Sequence, residues 1–115
     1  MEHKIMISCK DFEKVDIRVG RILEIKDFPE GKYSTHILRI DFGQEVGVKT
    51  SLAKLAPNYH GDELVGKEIV GVVNLKPKQI GKYMSETLTL GLADEAGNVI
   101  LLHPGKDVPI GGKLY

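Results

Sequence analysis

Tryptophan is absent from this 115-residue chain and cysteine occurs once. A single thiol, Cys9, excludes an internal disulfide and suits a reducing compartment. No apolar run approaches membrane length, and the stretch within MEHKIMISCK is too short for a signal peptide. A cytoplasmic protein without membrane insertion is expected. Excess charge of either sign is also missing, with 16 basic and 16 acidic residues. That argues against a dedicated duplex binder and leaves room for a local basic groove. Catalytic and metal motifs are lacking too. His3, His36, His60 and His103 stand at no ligand spacing, and no second cysteine supports them. There is no GxGxxG, GxxxxGK[S/T] or GxSxG. Carboxylates fall in turns, as at Asp62-Glu63 and Asp94-Glu95. No cofactor, no metal and no enzyme activity are expected.

What is present fits a single domain over residues 1–115, long enough for one hydrophobic core. Thirteen glycines are scattered rather than clustered, as a domain with many tight turns requires. A short helical turn is expected over residues 11–14, capped by Asp11. Residues 16–26 read as a strand with Ile17, Val19, Leu23 and Ile25 on one face and a bend at Gly20. Residues 34–42 read as a second strand, with His36, Leu38, Ile40 and Phe42 on one face and Ile37, Arg39 and Asp41 on the other. A short third strand over residues 45–49 precedes a helix over 52–56, capped by Thr50 or Ser51 and limited by Pro57. Residues 67–75 and 84–92 read as fourth and fifth strands. In the fifth, Met84, Leu88, Leu90 and Leu92 oppose Ser85, Thr87 and Thr89. A sixth short strand covers 99–102.

Three strands, a helix and two strands give the order of an OB barrel, so the expected class is all-β. It is a five-stranded OB-fold barrel with a helix between strands 3 and 4 and short extensions at both ends. An SH3-like barrel or an open sandwich would share much of this pattern. In an OB barrel, strands two and three form the usual ligand face. That makes Arg39 and Lys49 candidate contacts. Lys76, Lys78 and Lys82 lie on a loop shaped by Pro77 and Gly81, where lysines reach phosphates as mobile point charges. Tyr83 beside them offers a ring on which a base can stack.

Several segments carry a family resemblance. Asp16-Ile17-Arg18-Val19-Gly20-Arg21-Ile22, Glu63-Leu64-Val65-Gly66-Lys67 and Asn74-Leu75-Lys76-Pro77, followed by Ser85, resemble motifs of the OB-fold tRNA-binding domain family. That family includes appendages of bacterial methionyl-tRNA synthetases, stand-alone tRNA-binding proteins and the export-related chaperone CsaA. The stretches 12–16, 40–43 and 77–80, Ser85-Glu86 and the ending Val108-Pro109-Ile110-Gly111-Gly112 are most similar to the CsaA branch. The resemblance implies a non-catalytic tRNA-binding protein. Its alternative is a chaperone for unfolded or signal-bearing polypeptides. It also implies a homodimer built partly from residues before Phe12 and after Leu102. Asn74 and Ser85 join Arg39, Lys49, Lys76, Lys78 and Lys82 as the expected RNA- or peptide-binding set. Thr87 and Leu88 stand where the tRNA-binding branch commonly has glycine and methionine, and Lys82 stands where it has a loop glycine.

Overall fold

The computed structural model describes residues 4–115; His3 lies outside the described residues. The first element is a short helix, α1 (Cys9–Phe12). Its cap is Ser8, and Asp11 answers it from the third helical position. The Ser8 hydroxyl accepts the Asp11 N–H at 3.0 Å, and the Asp11 carboxylate accepts the Ser8 N–H at 3.3 Å. The expected Asp11 cap is therefore corrected to the far partner of a capping box.

Strand β1 (Ile17–Asp27) pairs antiparallel with β4 (Glu68–Val72) along its first half and with β2 (His36–Asp41) along its second. A register shift between Ile22 and Glu24 leaves Leu23 unpaired and bends the strand, so that it can serve both neighbours. The inward face is Arg18, Gly20 and Ile22, not the expected Ile17, Val19 and Leu23; Leu23 is 44% exposed. Gly20 explains the reversal. A Cβ there would stand 2.5 Å from Ile40 Cγ2 and 2.8 Å from the Phe42 ring. The inward position is empty because its neighbours on β2 fill it, and simple alternation of apolar residues misses an inward glycine.

Strand β3 (Val48–Ala53) pairs with β2 along its whole length, from Asp41 opposite Val48 to His36 opposite Ala53. This overturns two expectations. The third strand does not end at Lys49, and there is no helix over residues 52–56. Thr50 to Ala53 complete the ladder with β2, which five residues of isolated helix cannot outweigh. Between β3 and β4 the only helical element is the 3-10 turn η1 (Gly61–Leu64).

The fifth strand is broken into pieces. They are β6 (Tyr83–Ser85), β7 (Leu88–Thr89) and β8 (Gly91–Ala93). β6 forms a hairpin with β5 (Lys78–Ile80), and β8 forms one with β9 (Val99–Leu101). The expected faces are exchanged. Thr87 is buried, Ser85 and Thr89 are half-buried, and Met84, Leu88 and Leu92 are exposed.

The main sheet runs β3-β2-β1-β4-β7 and curls into a nearly closed antiparallel barrel. The seam between β3 and the β6–β7 segment is stitched largely by side chains. The Glu86 N–H donates to the Thr50 carbonyl at 2.8 Å, and the Thr50 N–H donates to Glu86 Oε1 at 2.9 Å. The Leu52 N–H donates to Ser85 Oγ at 3.1 Å, and the Ser51 and Thr89 hydroxyls meet at 2.8 Å. Inside, Ile22, Leu38, Ile40, Phe42, Leu55, Leu64, Ile69 and Leu101 form the core. Arg18 is buried beside it, forked onto Asp16 at 2.8 and 3.2 Å and bonded to Glu45 at 3.1 Å. Glu45 first, then Asp16, raise its pKa further, so the guanidinium stays charged in burial. The chain end closes the free edge of β1, where the Leu114 N–H donates to Ile17 O at 2.9 Å and the Gly111 N–H to Val19 O at 2.8 Å. No helix among the described residues is long and apolar enough to cross a membrane.

Candidate nucleic-acid interface

Cross-strand partners share a face of a sheet. Arg39 stands opposite Glu24 on β1 and Thr50 on β3, all on the outer wall. Its Nη1 donates to Thr50 Oγ1 at 2.9 Å, which ties the guanidinium to the wall while the residue stays exposed. Lys26 lies two pairs further along on the same face, opposite Ile37. Glu24, Lys26, Ile37, Arg39, Thr50 and Tyr83 surround a shallow groove of about 110 Å³.

Tyr83 reaches that groove because β5 and β6 form a tight hairpin. Ile80 pairs with Tyr83, leaving Gly81 and Lys82 as the loop. Gly81 has φ +61° and Lys82 a negative φ, the pattern of a two-residue turn that needs glycine first. That is why glycine sits at 81 and lysine at 82. The Tyr83 ring packs edge-on against the buried Phe28, with centroids 5.6 Å apart and planes at 86°. Lys82 Nζ lies 5.8 Å from the Tyr83 ring centre, which sets a cation beside the aromatic face. The hairpin thus brings Lys82 and Tyr83 to the wall that carries Arg39 and Lys26.

The other expected residues are distributed differently. Lys76 and Lys78 are exposed at the start of the hairpin. Lys49 stands opposite the buried Ile40, on the other face of β3 from Thr50, so it does not share the Arg39 wall. Both ends of the Asn74 amide are engaged within the chain. Its Oδ1 accepts the Asp16 N–H at 2.8 Å and its Nδ2 donates to Lys14 O at 2.7 Å. Ser85 is engaged likewise, accepting the Leu52 N–H and reaching the Thr87 carbonyl at 3.4 Å. Lys26 and Glu24 were not singled out from the sequence. Their outward alternation was visible, but only the strand register puts them beside Arg39.

The resembling motifs acquire physical roles in this geometry. Asp16 and Arg18 form the buried ion pair, Gly20 admits Phe42, and Gly66 turns the chain into β4 with φ +87°. Asn74 ties the segment before β1 to the end of β4.

Comparisons with known proteins agree with this architecture. The family model described as "Putative tRNA binding domain" matches residues 17–113. The crystal structure of the chaperone CsaA of Bacillus anthracis str. Ames superposes with a TM-score of 0.88 at 38% identity, covering 96% of this chain and all of that one. The CsaA chaperone protein of Picrophilus torridus gives a TM-score of 0.88 at 44% identity with the same coverage. Among curated proteins, the methionine–tRNA ligase of Pyrococcus horikoshii is 39% identical over 108 residues, 94% of this chain. This chain spans only 14% of that ligase's length. The match over residues 17–113, joined to the barrel and the motif geometry just described, places the chain in the tRNA-binding domain family.

Proposed function

We propose that this chain is a non-catalytic tRNA-binding module acting in the cytoplasm, with the outer wall of β1–β3 and the β5–β6 hairpin as its RNA surface. The observation that carries the reading is the groove where Lys26, Arg39, Tyr83 and the neighbouring Lys82 converge. A guanidinium tethered to a strand and lysines on a hairpin suit phosphates, and a half-buried ring suits an unstacked base. Lys76 and Lys78 extend the charge along the backbone path of the RNA, and Lys49 serves a separate contact. Asn74 acts by tying the segment before β1 to the end of β4, and Ser85 by closing the seam, since their own hydrogen bonds are engaged. The test is fluorescence anisotropy with unfractionated tRNA across a salt series. Log affinity should fall with log salt, by about 0.7 to 0.9 in slope for each phosphate contacted. Absence of binding at low salt by folded protein sinks the reading.

A second reading, a holder of unfolded or signal-bearing polypeptides, is favoured by the likeness to the CsaA chaperones of Bacillus anthracis and Picrophilus torridus. Suppressed aggregation of a denatured client would support it.

Under either reading the protein is a homodimer. Two adjoining grooves, of about 760 and 440 Å³, share Ile17, Lys113, Leu114 and Tyr115. Phe12 and Val15 from the segment before the barrel line the second, and Val108 and Pro109 line the first. An apolar surface of this extent, built from the segments that flank the barrel, is of the kind that marks protein contacts. Sedimentation equilibrium should give twice the chain mass, and Leu114→Asp should halve it.

A further inference from the structure

The loop between β1 and β2 carries the same residue pair as the β5–β6 hairpin. Lys32-Tyr33 stand in the first and Lys82-Tyr83 in the second. In both, the lysine Nζ lies 5.8 Å from the centre of the tyrosine ring that follows it. Tyr33 is 77% exposed, and Lys32 is exposed beside it. Neither belongs to the core or lines the groove at Arg39.

The β1–β2 loop is anchored. The Phe28 N–H donates to the Thr35 carbonyl at 2.9 Å, which closes its ends, and the Gly31 N–H donates to the Phe28 carbonyl at 3.1 Å. At its base the Thr35 hydroxyl accepts the Leu55 and Ala56 N–H groups at 2.8 and 3.1 Å. Gly31 lies directly on Phe28, where a Cβ would stand 2.3 Å from the ring. The same ring meets Tyr83 edge-on, and a Cβ on Gly81 would stand 3.6 Å from it. Phe28 is therefore a floor shared by both loops. Tyr33 follows Gly31 by two residues, a reach of at most about 7 Å, so the two Lys-Tyr pairs sit on one rigid support.

We propose that Tyr33 and Tyr83 form a two-ring platform for unpaired bases, so that this surface selects single-stranded stretches of RNA over duplex. The proposal rests on the tRNA-binding reading and narrows it. Bases in a duplex cover one another's faces, whereas loops and ends splay their bases out for stacking. The chain's net charge is zero, so stacking has to add to what the local lysines draw from phosphates. The flexible stem of each lysine lets its ammonium pass from the ring to the phosphate of the nucleotide stacked there.

The test uses the full chain with three ligands: unfractionated tRNA, an oligoadenylate of about twelve nucleotides, and a blunt RNA duplex of the same length. The oligoadenylate should bind about tenfold more tightly than the duplex, although the duplex carries twice the phosphates. With no tryptophan in the chain, tyrosine emission reports the stacking directly, and only the single strand should quench it. Tyr33→Leu keeps an apolar side chain at an exposed position but removes the ring. It should weaken oligoadenylate binding about tenfold with the salt slope unchanged, and Tyr33→Phe should restore the affinity. Lys32→Gln should instead lower the salt slope by about one contact. The proposal is overturned if the duplex binds as tightly as the oligoadenylate, or if Tyr33→Leu binds the oligoadenylate as tightly as the wild type. In both cases persistent tRNA binding leaves the broader reading standing. Failure of all three RNAs to bind at low salt sinks both.

Discussion

Along β1, β2 and β3 the backbone does the pairing, whereas across the seam from Glu86 to Thr89 side chains take over much of that work. In the first region the ladder is continuous apart from the bulge after Ile22, so polar side chains on the outer wall are not needed to close it. Arg39 and Lys26 face solvent there. In the second region the strands are two or three residues long. Ser51, Ser85, Glu86 and Thr89 replace missing ladder bonds across the seam. The difference teaches how to read polar residues in a small barrel. The same serine or asparagine is a ligand candidate on a regular wall and a structural stitch at an irregular seam.

Four experiments can break or sharpen this contrast. The largest effect is expected at the core of the regular region. Phe42 is fully buried beneath Gly20 and Gly71, and Phe42→Ala should cost about 3–5 kcal/mol of stability in urea unfolding. A loss below about 1 kcal/mol would mean that the ladder alone holds this half. Next comes the seam. Ser85→Ala deprives the Leu52 N–H of its acceptor and should cost about 1–3 kcal/mol. Its tRNA affinity, measured on the folded fraction, should change little. A large affinity loss with unchanged stability would make Ser85 a ligand contact rather than a stitch.

Arg39→Ala should do the reverse. Stability should hold within about 0.5 kcal/mol, as for exposed positions, while tRNA affinity falls and the salt slope drops by about one contact. The smallest effect concerns acid. Hydrogen bonds from Asn58, and then from the Asn98 N–H, hold the Asp94 pKa below its ordinary value. Arg18 does the same for Glu45 through its hydrogen bond and then its charge. A carboxylate with a depressed folded pKa contributes stability above its unfolded pKa and loses it as pH falls through the folded one. The wild type should therefore weaken below about pH 4, the ordinary carboxylate range. Asp94→Asn should be slightly less stable at neutral pH and show a shallower acid limb. An unchanged acid limb in Asp94→Asn would remove Asp94 from this account.

Much of the regular region was legible beforehand. The alternation His36, Leu38, Ile40 and Phe42 names the inward face of β2, because side-chain direction in a strand depends only on neighbours one and two places away. The motif segments named the family, and Gly81 marked a turn, although Lys78 to Ile80, read as loop, form the strand β5. The irregular region was not legible. Leu88 and Leu92 looked inward by hydrophobicity, yet the seam needs hydroxyls inside to replace ladder bonds, and the leucines turn out. Residues 52 and 53 looked helical by local composition, yet β2 offered them a ladder that no local signal records.

The sequence by itself thus determined the family and, through that resemblance, the barrel class, together with the stock of lysines and arginine on offer to a ligand. These follow from patterns within a few residues of one another and from composition. Tertiary structure alone decided which of those residues meet. The bulge after Ile22 sets the register that brings Glu24 to Arg39, and the hairpin at Gly81 carries Tyr83 to the same wall. The Val108 N–H takes one oxygen of the buried Glu68 carboxylate, and Arg21 from β1 stands 3.6 Å from the other. Each depends on contacts between residues far apart in the chain, where geometry rather than residue type fixes the partner.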